Sequence, residues 1–472
     1  MSITATGPFM AVLALYLLLR APQRLPYFVV FFAPFSATAI VNFTALSYKS
    51  GGVGLTPAML FLLCYFVSLA AYGSAFRSFV VSKGLLIQML LIGVFVLLLL
   101  VSAAVNGLTE GLTPFEVTQT IYVLLGVAAT VTLSFEFCRD GAIERCVRTA
   151  RAAAVFISAW GFVQVACYYS GVPYPSFLFN NSLSDFADMF DQSGPGFVRI
   201  ASVAVEPSFF AASLLHFVSF GITVLVIEPR LRTRGWIAAV LFCTVTLLLC
   251  TSTTGYFGLA VLAAVLLIRF PVRSIAPAAA TAALFVMALV SIPKLATMVA
   301  SATIEKNQTL SYHERTQGSV EAFQMFIEHP LLGSGWGAGT NANAITVMLA
   351  DVGVLGTTVF LIACLATLFE LQSRRSANRT GPHWRLAAYA AGVQNALIVA
   401  FACAVSSGIK YVVLDDWWFW ALGIAIASRL SGTVRLHGEM PSPVVASETG
   451  FDTLADMALA GRSSYPEERH RI

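Results

Sequence analysis

Arg199, Glu206, His313 and Arg315 are the side chains of this 472-residue chain whose types could do chemistry together. A guanidinium presents a planar fork of N–H donors that meets a phosphate through two bonds at once. Two of them could together offset the charge of a phosphate-bearing ligand. A carboxylate or an imidazole beside them could take a proton from an attacking hydroxyl. Each residue also has a plainer reading. Arg199 could pair with Asp185, Asp188 or Asp191, and Glu206 could be an acidic helix start ahead of Pro207. His313 could be an incidental loop residue.

A second candidate is Gly333-Ser334-Gly335-Trp336-Gly337-Ala338-Gly339, followed by Asn341 and Asn343 where a helix would be capped. A Gly-rich turn feeding a helix exposes N–H groups and a positive dipole end, which suits phosphate. No Gly-Lys-Ser/Thr follows, so this is not a P-loop, and a tight turn explains the bare pattern equally well. Lys410 is a further phosphate contact, close to Asp415, Asp416, Trp417, Trp418 and Trp420, which read as an interfacial anchor. His216, Gln394 and Asn395 stand inside apolar runs, where interhelical hydrogen bonding is their expected use. The Asp185, Asp188, Asp191 run reads as a solvated helical face. The eight scattered cysteines show no ligand spacing, so no metal is expected.

The elements that position these residues belong to a membrane protein. Hydrophobic residues are 58% and charged residues 11% of the chain, against about 25% charged in soluble domains. Apolar runs recur near 3–19, 25–46, 57–76, 84–105, 117–137, 149–172, 206–227, 236–250, 254–269, 275–297, 343–369, 386–405 and 412–428. The expected fold is therefore an all-α polytopic membrane protein with about 12 or 13 transmembrane helices, each needing about 20 residues. Thr251, Ser252, Thr253 and Thr254 join the two short runs 236–250 and 254–269 in a tight polar hairpin.

Alternate connections separate the 28 Lys and Arg sharply. Lys49, Arg199, Lys294, Lys306, Arg315 and Lys410 fall on one side and the other 22 on the opposite side, which should be cytoplasmic. The net charge of +4 is thus a topology signal and does not point to nucleic acid. The domain covers residues 1–428, with a polar tail over 429–472 expected to be disordered. Two long outside connections, 173–205 and 298–342, hold the reactive side chains. The second contains an amphipathic helix, Glu314 to Glu328, with Val320, Phe323, Phe326 and Ile327 on one face for the membrane surface or other loops.

The stretch His329-Pro330-Leu331-Leu332-Gly333-Ser334-Gly335-Trp336-Gly337, with Asp351-Val352-Gly353-Val354-Leu355-Gly356 after it, resembles the signature of the O-antigen ligase and polysaccharide polymerase superfamily. The Arg199 to Ala211 segment is similar to the family's entry into a central helix, and Ser252-Thr253-Thr254-Gly255 to its hairpin. The resemblance implies a multi-pass enzyme of the bacterial inner membrane with its site facing the periplasm. It implies a glycosyltransferase that uses an oligosaccharide on undecaprenyl pyrophosphate, without cofactor or metal. Arg199, Arg315, Glu206 and His313 would be catalytic, and Gly333, Gly335, Gly337, Asn341, Asn343 and Lys410 would bind substrate. The implied partners are the lipid-linked substrate, membrane lipids, a flippase and a chain-length regulator. Ligases of the family carry a His after the Gly-rich turn. Gly339-Thr340-Asn341-Ala342-Asn343 has none, which points to a polymerase of repeat units rather than a ligase. A secondary transporter is the reading from another class, but no internal repeat supports it.

Overall fold

The computed structural model describes residues 2–48, 51–72, 83–109, 111, 113–182, 199–291, 293, 296, 297, 299, 300, 310–339, 343–378, 382–407 and 414–431. Lys410, Asn341, Lys49, Lys294, Lys306, Asp185, Asp188, Asp191 and the polar tail from 432 onward lie outside them.

Helices dominate. They are α1 (Gly7–Arg20), α2 (Leu25–Phe32), α3 (Pro57–Tyr72), α4 (Lys83–Thr109), α5 (Pro114–Phe137), α6 (Ala142–Ser170), α7 (Ser176–Phe179) and α8 (Pro207–Ile227). After these come α9 (Arg234–Leu249), α10 (Thr253–Arg269), α11 (Pro271–Ser291), α12 (Leu310–Glu328), α13 (Ala344–Ala377), α14 (Trp384–Ser407) and α15 (Leu414–Leu430). Local signals set their ends. Thr113 and Glu116 form a reciprocal capping box at α5, and Thr233 accepts from the Trp236 N–H at α9. Prolines open α5 and α8, where their missing N–H costs nothing.

Among the described residues seven helices are long and apolar enough to cross a membrane: α4, α5, α6, α8, α11, α13 and α14. This is the make-up of a multi-pass membrane protein. Helices α1, α3, α9 and α10 are apolar but shorter.

The expected helix over 25–46 is not formed. Helix α2 ends at Phe32, and Pro34 follows where a helix interior would need its N–H. The chain then runs as strand β2 (Val41–Tyr48), paired antiparallel with β1 (Ser2–Ile3) and β3 (Gly51–Leu55). Val41 faces Leu55 and Phe43 faces Val53. An eight-residue helix followed by a hairpin is too short to span, so this run should not be counted as a crossing.

Helix α8 is the most enclosed span and packs most extensively on α14. Glycines let the backbones approach: a Cβ at Gly258 of α10 would lie 2.4 Å from Leu215 of α8, and one at Gly392 of α14 would lie 2.7 Å from Phe220. A second core joins α4, α5, α13 and α15 through Phe95, Trp336, Met348, Trp417 and Trp420. The interfacial-anchor reading of the α15 aromatics is therefore corrected. Trp417, Trp418 and Trp420 are buried, Trp420 Nε1 donates to Thr367 Oγ1 (2.7 Å), and the Trp417 ring lies against Gly126.

Candidate functional site

The segment entering α8 is held from below by α6. Gln164 Oε1 accepts from the N–H groups of Ala201 (3.1 Å) and Ser202 (2.9 Å), and its Nε2 reaches the Arg199 carbonyl (3.5 Å). Ser202 Oγ donates to the Ile157 carbonyl (2.6 Å), and Asn180 Nδ2 donates to the Ser202 carbonyl (2.8 Å). Ser202 is fully buried with φ of 54°, a left-handed conformation that costs about 1–2 kcal/mol for a residue with a Cβ. The other non-glycine residue with positive φ among those described is Thr251 (φ 49°), in the turn between α9 and α10. These two strained positions border one place. Arg199 Nη2 donates to the Thr251 carbonyl (3.5 Å), and the Arg199 charge acts on Cys250 and Tyr256 of the same hairpin. Thr251 Oγ1 is buried there without a hydrogen-bond partner among the described residues. Backbone strain of this kind collects at functional sites.

Glu206 occupies the N-cap position of α8, and its carboxylate accepts from Ser208 Oγ. Burial pushes the Glu206 carboxyl above its ordinary value, while the charges of Arg315 and then Arg199 pull it back. The charges of both arginines thus act on one carboxylate, although they are distant in sequence. Among the described residues neither closes into an ion pair, and apart from the Thr251 contact neither guanidinium donates a hydrogen bond. Among the described residues, two cations thus act on one anion, an excess of positive charge.

Helix α12 brings Arg315 to this place. It extends four residues further toward the N-terminus than its pattern suggests, and it packs on the first turns of α13 through Ala322 against Val347 and Ala350. Val320, Phe323 and Ile327 remain uncovered by the rest of the chain, at 54%, 49% and 62% exposure. His313 is not brought into the site. It is exposed beside Tyr312 and, two residues from Arg315, lies about 200° around the helix from it.

The Gly-rich turn closes on the helix that follows it. Its N–H groups are already committed: Gly333 to the His329 carbonyl (2.9 Å), Ser334 to Ala350 (2.7 Å) and Gly335 to Asp351 (3.1 Å). The Asp351 carboxylate, fully buried in α13, accepts from Gly337 (3.0 Å) and Gly339 (2.7 Å). Asn343 caps α13, its Oδ1 accepting from the Thr346 N–H (3.1 Å). Helix α13 kinks at Gly353 (φ 64°), where a Cβ would stand 2.3 Å from the Leu331 carbonyl carbon. The two halves of the signature therefore exist to fit each other. Asn106 Nδ2 completes the lock on the Gly333 carbonyl (3.0 Å).

Residue types alone did not single out Gln164 or the role of Asp351. A glutamine inside an apolar helix was the available signal for the first. Gln394 and Asn395 do make the expected interhelical bonds: Arg269 donates to both, and Asn395 Nδ2 donates to Thr223 Oγ1 (3.1 Å). No group of three or more metal-ligating side chains occurs among the described residues. No protein-family model matches the chain, and no curated protein matches it.

Proposed function

We propose that this protein is a membrane glycosyltransferase that polymerises oligosaccharide repeats carried on undecaprenyl pyrophosphate, at the periplasmic face of a bacterial inner membrane. The observation that carries the reading is that the charges of Arg199 and Arg315 both act on the buried Glu206 carboxyl, while among the described residues neither guanidinium is held in an ion pair. The uneven division of the 28 Lys and Arg supports the orientation, and the lack of a His in Gly339–Asn343 favours a polymerase over transfer to a terminal acceptor.

In the reaction, a hydroxyl of one lipid-linked repeat attacks the anomeric carbon of the growing chain. The new glycosidic bond forms as the bond to the diphosphate oxygen breaks, and the electron pair leaves on undecaprenyl pyrophosphate. Arg199 and Arg315 hold that diphosphate and offset the charge that develops on it. Glu206, whose burial raises its affinity for a proton, takes the hydroxyl proton. Helix α12 rests its uncovered apolar face on the membrane surface and sets Arg315 at headgroup level.

The test is reconstitution. Purified protein given only lipid-linked repeats should build a ladder of longer products without a nucleotide sugar. A preparation that elongates nothing, but moves preformed polymer once a terminal acceptor is added, replaces the polymerase with the ligase.

A further inference from the structure

Ten residues along α8 from Glu206, about 15 Å by helical rise, stands a buried polar cluster that the proposed reaction does not use. His216 Nε2 lies 3.0 Å from Asp416 Oδ1, and its Nδ1 lies 3.0 Å from the Ala212 carbonyl. The neighbouring Asp415 accepts from Ser213 Oγ and from Trp418 Nε1 (3.2 Å). His216 is 4% exposed and Asp415 is 4% exposed, with the Phe419 ring 5.2 Å from the imidazole. Among the described residues no Lys or Arg pairs with either aspartate. The other titratable groups that face the cluster are Cys364 of α13 and Cys403 of α14, both of which feel Asp416.

The hydrogen-bond chemistry fixes where protons must be. A carbonyl only accepts, so Nδ1 is the donor toward Ala212. Nε2 makes no hydrogen bond of ordinary geometry but stands 3.0 Å from the Asp416 oxygen, and a lone pair facing a carboxylate at that distance would be repelled, so one proton belongs to the pair. Either Nε2 is bare and the carboxyl carries it, or the ring is an imidazolium facing a carboxylate. The opposite tautomer would aim the Nδ1 lone pair at a carbonyl oxygen. Charge balance agrees: without the bridging proton, the buried Asp415 and the partly buried Asp416 would face no cation among the described residues, which is costly.

We propose that His216 and Asp416 form a proton-binding site between the spans, the pair holding one proton on Nδ1 and a second shared between Nε2 and Oδ1. A cavity of about 20 Å³ lined by Ser213, His216, Asp415 and Asp416 has room for one water through which the shared proton exchanges. Asp416 also borders an apolar cavity of about 300 Å³ between α13, α14 and α15. The site does not depend on the glycosyltransferase reading.

The experiment uses the full chain in lipid nanodiscs at neutral pH, labelled with ¹⁵N-histidine and ¹³C-aspartate. The His216 resonances are those missing from His216→Gln. Two spectra agree with the proposal: an imidazolium with both nitrogens protonated, or a neutral Nδ1–H ring together with one protonated aspartate carboxyl. In the second case the infrared band of that carboxylic acid disappears in Asp416→Asn. Alkaline titration of the wild type should release one proton per chain more than Asp416→Asn. A neutral ring protonated on Nε2, or a neutral Nδ1–H ring with every aspartate ionised, overturns the proposal. Both results are read from the wild type, so they stand even if Asp416→Asn fails to fold.

Discussion

Replacing Asp351 by Asn removes one of two acceptor oxygens from a fully buried position while keeping size and shape. The carboxylate holds the Gly337 N–H at 3.0 Å and the Gly339 N–H at 2.7 Å. Asn can accept only one of them, and its NH₂ would face the other. A buried donor left without a partner costs about 1–3 kcal/mol. The surviving bond loses its charge assistance, about 1 kcal/mol more. The expected loss is therefore about 2–4 kcal/mol, which lowers the melting temperature by roughly 2–4 °C in a chain of 472 residues. Scanning fluorimetry on purified Asp351→Asn in nanodiscs measures it, with the buried Trp336 of the same turn as reporter. The folded fraction should still bind lipid-linked donor with an unchanged KM, because the turn's N–H groups serve the fold. A variant that melts within about 1 °C of wild type but binds donor weakly would refute the reasoning and return the turn to phosphate binding.

Arg199→Lys and Arg315→Lys should each lower polymerisation by about 10²-fold or more, since a forked donor pair becomes a single ammonium. Each should shift stability by less than about 1 kcal/mol, because among the described residues the 3.5 Å contact of Arg199 to Thr251 is the hydrogen bond that would be lost. His313→Ala, on the exposed side of α12, should leave the rate nearly unchanged; a fall of about 10²-fold or more would make it the base. Glu206 has its folded titration raised by burial, so the native state gains stability where the carboxyl is protonated and loses it as pH rises through that titration. Glu206→Gln should therefore match wild type in acid and melt higher at neutral pH, with the acid limb of the rate profile abolished; a lower melting point at neutral pH would contradict the burial argument. Gly353→Ala combines a positive φ with a Cβ 2.3 Å from backbone, so it should cost at least about 2–4 kcal/mol and deplete folded protein in the membrane, read by detergent-resistant yield.

What the sequence determined on its own is what local pattern encodes. Continuous apolar runs placed α4, α5, α6, α8, α11, α13 and α14 close to their observed bounds, because a span must satisfy its backbone within itself. The Thr-rich link before α10 and the amphipathic helix ending at Pro330 were legible for the same reason. The 25–46 run failed because apolar content alone does not separate helix from strand, and Pro34 was the missed signal. Only the tertiary structure decided the site. Arg199, Glu206 and Arg315 look alike as scattered outside charges until α12 docks on α13 and the hairpin comes beneath Arg199. The Gly-rich turn offers the same N–H groups in either reading, and what settles their use is an acceptor arriving from elsewhere. Asp351 reaches them across a kinked helix, just as Asp416 reaches His216 from 200 positions away, and no local period records which partner will fill a donor.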